Sequence, residues 1–234
     1  MKEKTRMRKL IPCAVYDVEA MESWLRDQAA QGCLLEEDGI FGPWAYFVPG
    51  PARPAAYRLT SSLSSPEFTG PDEEARDLSV AYGWEYLARR KEFYIYRAVS
   101  PDVRELDTDP QTQALILRAV RRRTIGSIAT LLVMGICYPL FLLAKDGRLG
   151  LLIQYPWYWM IPFACVVWFL SLSFAGSRHY QRLGRHLQEG RPLDHQKPWR
   201  HQARRHLVCS LVSALLTGLL VIQLVLVLVF TTPF

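Results

Sequence analysis

Apolar positions change their period along this chain. "WAYFV" (44–48) and "FYIYR" (93–97) follow the two-residue alternation of half-buried strands. "EAMESWLRDQAAQG" (19–32) follows the helical period instead, with Met21, Trp24 and Leu25 on one face, Asp17 placed to cap its start and Gly32 to stop it. "PDEEARDLSVAYG" (71–83) repeats that grammar: Pro71 opens it, acids crowd its first turn, Ala75, Leu78 and Tyr82 point inward, and Gly83 ends it. After each glycine comes a short strand and then an aromatic one. Before each helix stands another candidate strand, "LIPCAVY" and "AAYRLT". The pattern predicts a β-α-β-β unit occurring twice within residues 1–103, an α+β module with a sheet layered against two helices.

Beyond residue 103 the alternation stops. "ELDTDPQTQALILRAVRRRTIG" offers Asp109 as N-cap and Pro110 as first helical residue, so 104–123 is predicted as a juxtamembrane helix running into an apolar stretch. Three such stretches follow, 124–144, 156–175 and 207–230, none interrupted by a charge or a polar stripe. A span of the hydrocarbon core needs about 20 residues, and the expectation is an all-α membrane part with three transmembrane helices. Arg118 and Arg121 to Arg123 precede the first, and the loop 176–206 between the second and third carries eight further Lys and Arg against Glu189 and Asp194. The remaining connection holds only Lys145 and Arg148. The positive-inside rule therefore places the module and the loop in the cytoplasm and the C-terminal "TTPF" outside. "YPWYWMIP" (155–162) suits an aromatic belt at the outer interface.

Charge sharpens this division. Residues 1–117 hold 14 Lys/Arg against 19 Asp/Glu, whereas residues 118–234 hold 14 against 3, so the net +6 of the chain comes from its second half. A nucleic-acid-binding module would carry the positive face itself, and none is expected. Cys13, Cys33, Cys137, Cys165 and Cys209 form no C-x-x-C pair and are expected as buried, reduced thiols. The basic N-terminus lacks the apolar stretch of a signal peptide before Asp17.

Candidate chemistry is sparse. No ionisable residue lies inside an expected span, which argues against a pump or ion-coupled transporter. Arg121, Arg122, Arg123, Arg182, Arg185, Arg204 and Arg205 are candidates for contact with anionic lipid headgroups. Ser210, Ser213, Ala214, Thr217 and Gly218 share one face of the last span, suited to packing within the bundle or to a homodimer seam. All five histidines (His179, His186, His195, His201 and His206) fall in the basic loop, without the spacing or partners of a metal site. Glu36-Glu37-Asp38-Gly39 is expected as a hairpin turn. No nucleophile-elbow, dinucleotide or phosphate-loop motif is present, and no cofactor is expected. Tyr46, Tyr57, Trp84, Tyr86, Tyr94 and Tyr96 form a candidate partner surface wherever they stay exposed.

"YDVEAMESWL", "AAQGCLLEE", "AYRLT", "GWEYL" and "FYIYR" together resemble the bacterial family called domain of unknown function 2812, over residues 10–98. In that family a tryptophan commonly follows the first helix-ending glycine. Here Cys33 takes that place, while Gly83-Trp84 keeps the pattern. The resemblance implies a cytoplasmic module, often followed by membrane spans and commonly encoded beside PadR-type transcriptional regulators, with no catalytic residues to carry over. The resulting expectation is a non-enzymatic, multi-pass protein of the bacterial plasma membrane whose module binds a cytoplasmic or membrane protein in a regulatory role. The alternative is an accessory subunit of a transporter or permease, and a third class is a membrane enzyme acting on lipid.

Overall fold

The computed structural model describes residues 6–61, 70–100, 103–106, 110–146 and 157–231, with backbone alone at 134, 136, 138–146, 157–159, 224 and 226–231. The chain forms two compact units, Met1–Val120 with His179–His206, and Arg121–Arg178 with Leu207–Phe234.

The first unit contains the duplication. Its first copy is β1 (Met7–Leu10), α1 (Val18–Ala30), β2 (Cys33–Phe41) and β3 (Trp44–Pro49); its second is β4 (Tyr57–Thr60), α2 (Glu73–Ala81), β5 (Trp84–Arg90) and β6 (Phe93–Ala98). Each copy folds as an antiparallel three-stranded sheet with its last strand in the centre, in the orders β1-β3-β2 and β4-β6-β5. The two aromatic segments take these central positions because a central strand is covered on both sides. Phe47 and Ile95 are fully buried. Asp17 caps α1, its Oδ1 accepting from the Ala20 N–H at 3.2 Å, and Gly32 ends it at φ 79°. Gly83 turns out of α2 at φ 83°, where a Cβ would lie 2.8 Å from Val103 Cγ1. The α1 face of Met21, Trp24 and Leu25 is buried in the core, Trp24 meeting Phe47 edge-on at 5.6 Å. Each such side chain contributes about 1.5–3 kcal/mol of apolar burial.

Three local expectations are corrected. The strand expected over residues 10–16 forms earlier, at Met7–Leu10, because Pro12 cannot donate to a ladder. The second helix starts two residues later than Pro71 suggests, at Glu73 and capped by Asp72, and its expected inward face is open: Ala75 is exposed and Leu78 is 54% exposed, while Tyr82 is half-buried. With nine residues, α2 has a single short contact stripe, which Ser79 and Tyr82 supply. Glu36 to Gly39 do not make the hairpin turn. They form an irregularity inside β2, with Asp38 at φ 50°, and Gly42-Pro43 turns the chain instead. Gly39 is required there, since a Cβ would come within 2.7 Å of the Glu36 carbonyl oxygen and 2.8 Å of that of Tyr46.

Helix α3 (Pro110–Asp146) is continuous from its expected first residue, whereas Asp109, its expected cap, lies outside the described residues. Helices α4 (Trp157–Gln188) and α5 (Arg200–Thr231) follow. Among the described residues two helices, not three, are long and apolar enough to cross a membrane: Met160–Gln188 and Arg200–Gln223, with mean hydropathies of 1.8 and 1.9. The other expected span, Thr124–Ala144, is helical within α3, but most side chains from 134 to 144 are not described. Only 17% and 6% of the most apolar stretch of these two helices is buried, far less than in the core helix of a water-soluble protein. In the second unit α4 meets α5 at Ser213, to whose Oγ the Trp168 indole N–H donates at 2.9 Å.

Candidate interaction site

Helix α1 is buried on two sides. Opposite its core face it carries Asp17 at its cap, then Glu19, Glu22, Ser23 and Asp27, spacings that gather carboxylates into a stripe. Unpaired carboxylates are costly to bury, yet Asp17 and Glu22 are only 1% and 2% exposed. Their cover is the segment 189–199, "EGRPLDHQKPW", here called the strap.

The strap's local sequence fixes its path. Gly190, at φ 76°, ends α4; its N–H donates to the Leu187 carbonyl and that of Arg191 to the His186 carbonyl, a Schellman stop. Pro192 prevents the helix from resuming. Asp194 then builds a turn, its Oδ1 accepting from the Gln196 N–H at 3.0 Å and its carbonyl from the Lys197 N–H at 3.3 Å. The Trp199 carbonyl accepts from the N–H groups of Gln202 and Ala203 as α5 begins.

This path carries the strap's polar groups to the acidic stripe in register. Lys197 Nζ donates to Asp17 Oδ1 at 2.8 Å and to Glu19 Oε2 at 3.1 Å. The Asp194 N–H donates to Glu19 Oε1 at 2.9 Å. His195 Nδ1 lies 2.5 Å from Glu22 Oε2, and Ser23 Oγ donates to the His195 carbonyl at 2.9 Å. The Trp199 indole donates to Asp27 Oδ2 at 2.9 Å. Burial pulls the Lys197 pKa down, but the hydrogen bonds and charges of Asp17 and Glu19 outweigh it and hold the ammonium above its ordinary value. Glu22 is the node of the site: its second oxygen, Oε1, accepts from the Leu59 N–H of β4 at 2.8 Å, tying α1 to the second copy as well as to the strap. Apolar contacts run alongside, with Leu193 and Trp199 packed on the core and Tyr180, Leu183 and Leu187 of α4 buried in it.

Beside Glu22 lies a cavity of about 420 Å³, walled by Val18, Leu59, Phe93, Leu106, Ile116, Leu117, Leu183 and Leu193. Its charged groups are Glu22, Arg58, Glu105 and His195. Arg58 Nε donates to Glu105 Oε2 at 2.8 Å and its Nη2 to Oε1, a bidentate pair that lowers the Glu105 pKa.

The residues expected to matter are distributed differently. Tyr57, Trp84, Tyr94 and Tyr96 are buried and so offer no partner surface: Trp84, Tyr94 and Tyr96 form one cluster, and Tyr57 is core. Only Tyr46 and Tyr86 keep partial exposure. Tyr94 and Tyr96 lie on the central β6, Tyr57 and Trp84 lie on the strands beside it, and the Trp84 indole donates to the Arg104 carbonyl at 2.7 Å. Of the expected headgroup arginines, Arg122, Arg123, Arg182, Arg185, Arg204 and Arg205 are exposed, while Arg121 is half-buried and donates to Ser177 Oγ at 3.3 Å. Ser210 and Ser213 are half-buried, and Ala214, Thr217 and Gly218 are exposed. Cys13, Cys33 and Cys165 are buried as expected, whereas Cys137 is exposed and Cys209 half-buried. Sequence reasoning missed the roles of Lys197, His195 and Trp199, which it placed in the basic cytoplasmic loop without a partner in the module. The signal available was the proline-bracketed "PLDHQKPW" turn and an α1 stripe of matching charge.

Residues 17–129 match the family described as protein of unknown function DUF2812, and this part of the chain belongs to it. The matched segment includes α1 and its acidic stripe, whereas the strap lies beyond it. No curated protein and no solved structure matches the chain.

Proposed function

We propose that the protein is a non-enzymatic, membrane-anchored regulatory module that binds a protein partner through the acidic face of α1, the strap occupying that face when the partner is absent. The observation that carries this reading is the pairing of four strap groups with Asp17, Glu19, Glu22 and Asp27, a peptide-recognition arrangement made within one chain. The partner would present a basic, aromatic segment of the same kind as His195-Gln196-Lys197-Pro198-Trp199. The family resemblance points toward a cytoplasmic regulator of the PadR type. In this reading α4 and α5 lie in the bacterial plasma membrane with the module and strap in the cytoplasm, and the exposed Arg182, Arg185, Arg204 and Arg205 meet anionic headgroups.

Crosslinking in intact membranes tests it. Lys197→Glu should release the strap and raise capture of a stoichiometric cytoplasmic partner over the parent protein, and adding Glu19→Lys should abolish the gain. Absence of a partner from both the parent and the Lys197→Glu protein would refute docking. A second reading, an accessory subunit of a transporter or permease, draws on the exposed Ala214, Thr217 and Gly218 of α5. A multi-span protein that co-purifies, and is lost when Thr217 and Gly218 are replaced by Leu, would favour it.

A further inference from the structure

We infer that the cavity beside Glu22 is a binding site for a small, uncharged, mainly apolar molecule, a function separate from partner docking. Its volume of about 420 Å³ falls within the roughly 300–1,000 Å³ of small-molecule sites. The walls set the ligand's character. Val18, Leu59, Phe93, Ile116, Leu183 and Leu193 present apolar surface from α1, β4, β6, α3, α4 and the strap.

The charged groups favour an uncharged guest. Glu22 already accepts from Leu59 N–H through one oxygen and meets His195 through the other, and Arg58 holds Glu105 through two nitrogens. A charged guest would give up hydration and find the carboxylate of Glu22 and the guanidinium of Arg58 already engaged. An apolar guest needs no such partner and gains from each apolar surface it covers. Because the ligand would touch Val18 of α1 and Leu193 of the strap at once, its occupancy would hold the two together. Any molecule bound only to the closed form shifts opening by mass action. The site therefore offers a means by which a small apolar compound could bias the strap.

Adamantyl diazirine, a small uncharged photoreactive probe, tests this on the full chain in lipid nanodiscs, with labelled peptides identified by mass spectrometry. The apolar surface of α5 serves as the internal control for probe delivery. Labelling is expected at Phe93 and Leu193, displaced by excess adamantane, and lost in Leu193→Trp and Ile116→Trp. Those two half-buried positions fill the space from different walls, and protease resistance of each variant reports that it is folded. If α5 is labelled while the cavity residues are not, the site does not exist. Labelling that resists adamantane, or that persists in either folded variant, would equally overturn the proposal. A failure of partner crosslinking leaves these outcomes unchanged.

Discussion

Replacing Lys197 with Met removes the cation from the strap while keeping most of its length. Asp17 is then left 1% exposed, with Oδ2 lacking a hydrogen-bond partner among the described residues and Oδ1 retaining the Ala20 cap and His179 Nε2 at 3.9 Å. Breaking a fully buried pair from one side costs about 3–5 kcal/mol. The Lys197 side chain keeps 20% of its surface in water, so partial hydration of the vacated site brings the expectation to about 2–3 kcal/mol. Asp17→Asn removes the stranded charge and preserves the cap. The double variant should therefore be less damaged than the sum of the two, by about 1–2 kcal/mol. The assay is hydrogen exchange on the full chain at the Asp194 amide, which donates to Glu19 and reports strap opening. Lys197→Met should accelerate it about 30- to 150-fold, at 1.4 kcal/mol per decade. The raised Lys197 pKa gives the sign with pH. Its contribution is fully present at neutral pH and is lost only as pH climbs through a value above the ordinary ~10.4. Acceleration below about threefold in Lys197→Met, or strict additivity with Asp17→Asn, would refute the account of the strap as an ionic clasp.

Burial raises the Cys13 pKa to about 12, so this thiol should resist alkylation by N-ethylmaleimide at pH 8 until the protein is denatured, as peptide mapping of the modified cysteines would show. Trp84→Phe removes the indole bond to the Arg104 carbonyl and opens space in the Tyr94–Tyr96 cluster. A loss of about 1.5–3 kcal/mol is expected in amide exchange across β5 and β6. The lowered Glu105 pKa means its bond to Arg58 is intact above the ordinary value of about 4.3 and is lost as pH falls through the lowered one. The Arg58 Nε–H resonance should follow that titration, and Glu105→Gln should abolish it; an unchanged titration in the variant would count against the pairing.

Periodicity and caps were enough to place most of the first unit. Asp17, Gly32 and Gly83 bound their elements because a cap oxygen and two positive-φ turns are local requirements, satisfied without knowledge of the rest of the chain. The duplicated order follows for the same reason, since each copy repeats those signals. Exposure of the aromatic positions was not decided locally. Tyr94 and Tyr96 flank Ile95 on a six-residue strand, so alternation places them on the opposite face from it, but whether that face is covered depends on Trp84, Val103 and Leu106. The acid run at 36–39 misled because a bulge and a turn use the same residue types, and Gly42-Pro43 was the stronger turn. The strap was hidden for another reason. Net positive charge near an apolar helix is the signature of a headgroup contact, and the loop that carries Lys197 meets that description until Asp17, 180 residues away in sequence, is placed beside it.

That long-range pairing also bears on how firmly the strap is held. In its absence the carboxylates of α1 would face water and keep their hydration, so the ion pairs return only the surplus of attraction over desolvation, which for buried pairs is close to zero. The net preference for the closed form then falls to what is left: Leu193 and Trp199 packed on the core, and the neutral hydrogen bonds of Ser23 and the Asp194 amide. Those terms amount to a few kcal/mol. An equilibrium of that size is shifted substantially by a ligand or segment that binds one form about a hundredfold better than the other. The ion pairs set register and selectivity, while the apolar residues set the balance point. Substituting Trp199 should therefore change how often the strap opens, and substituting Glu22 should change what can replace it.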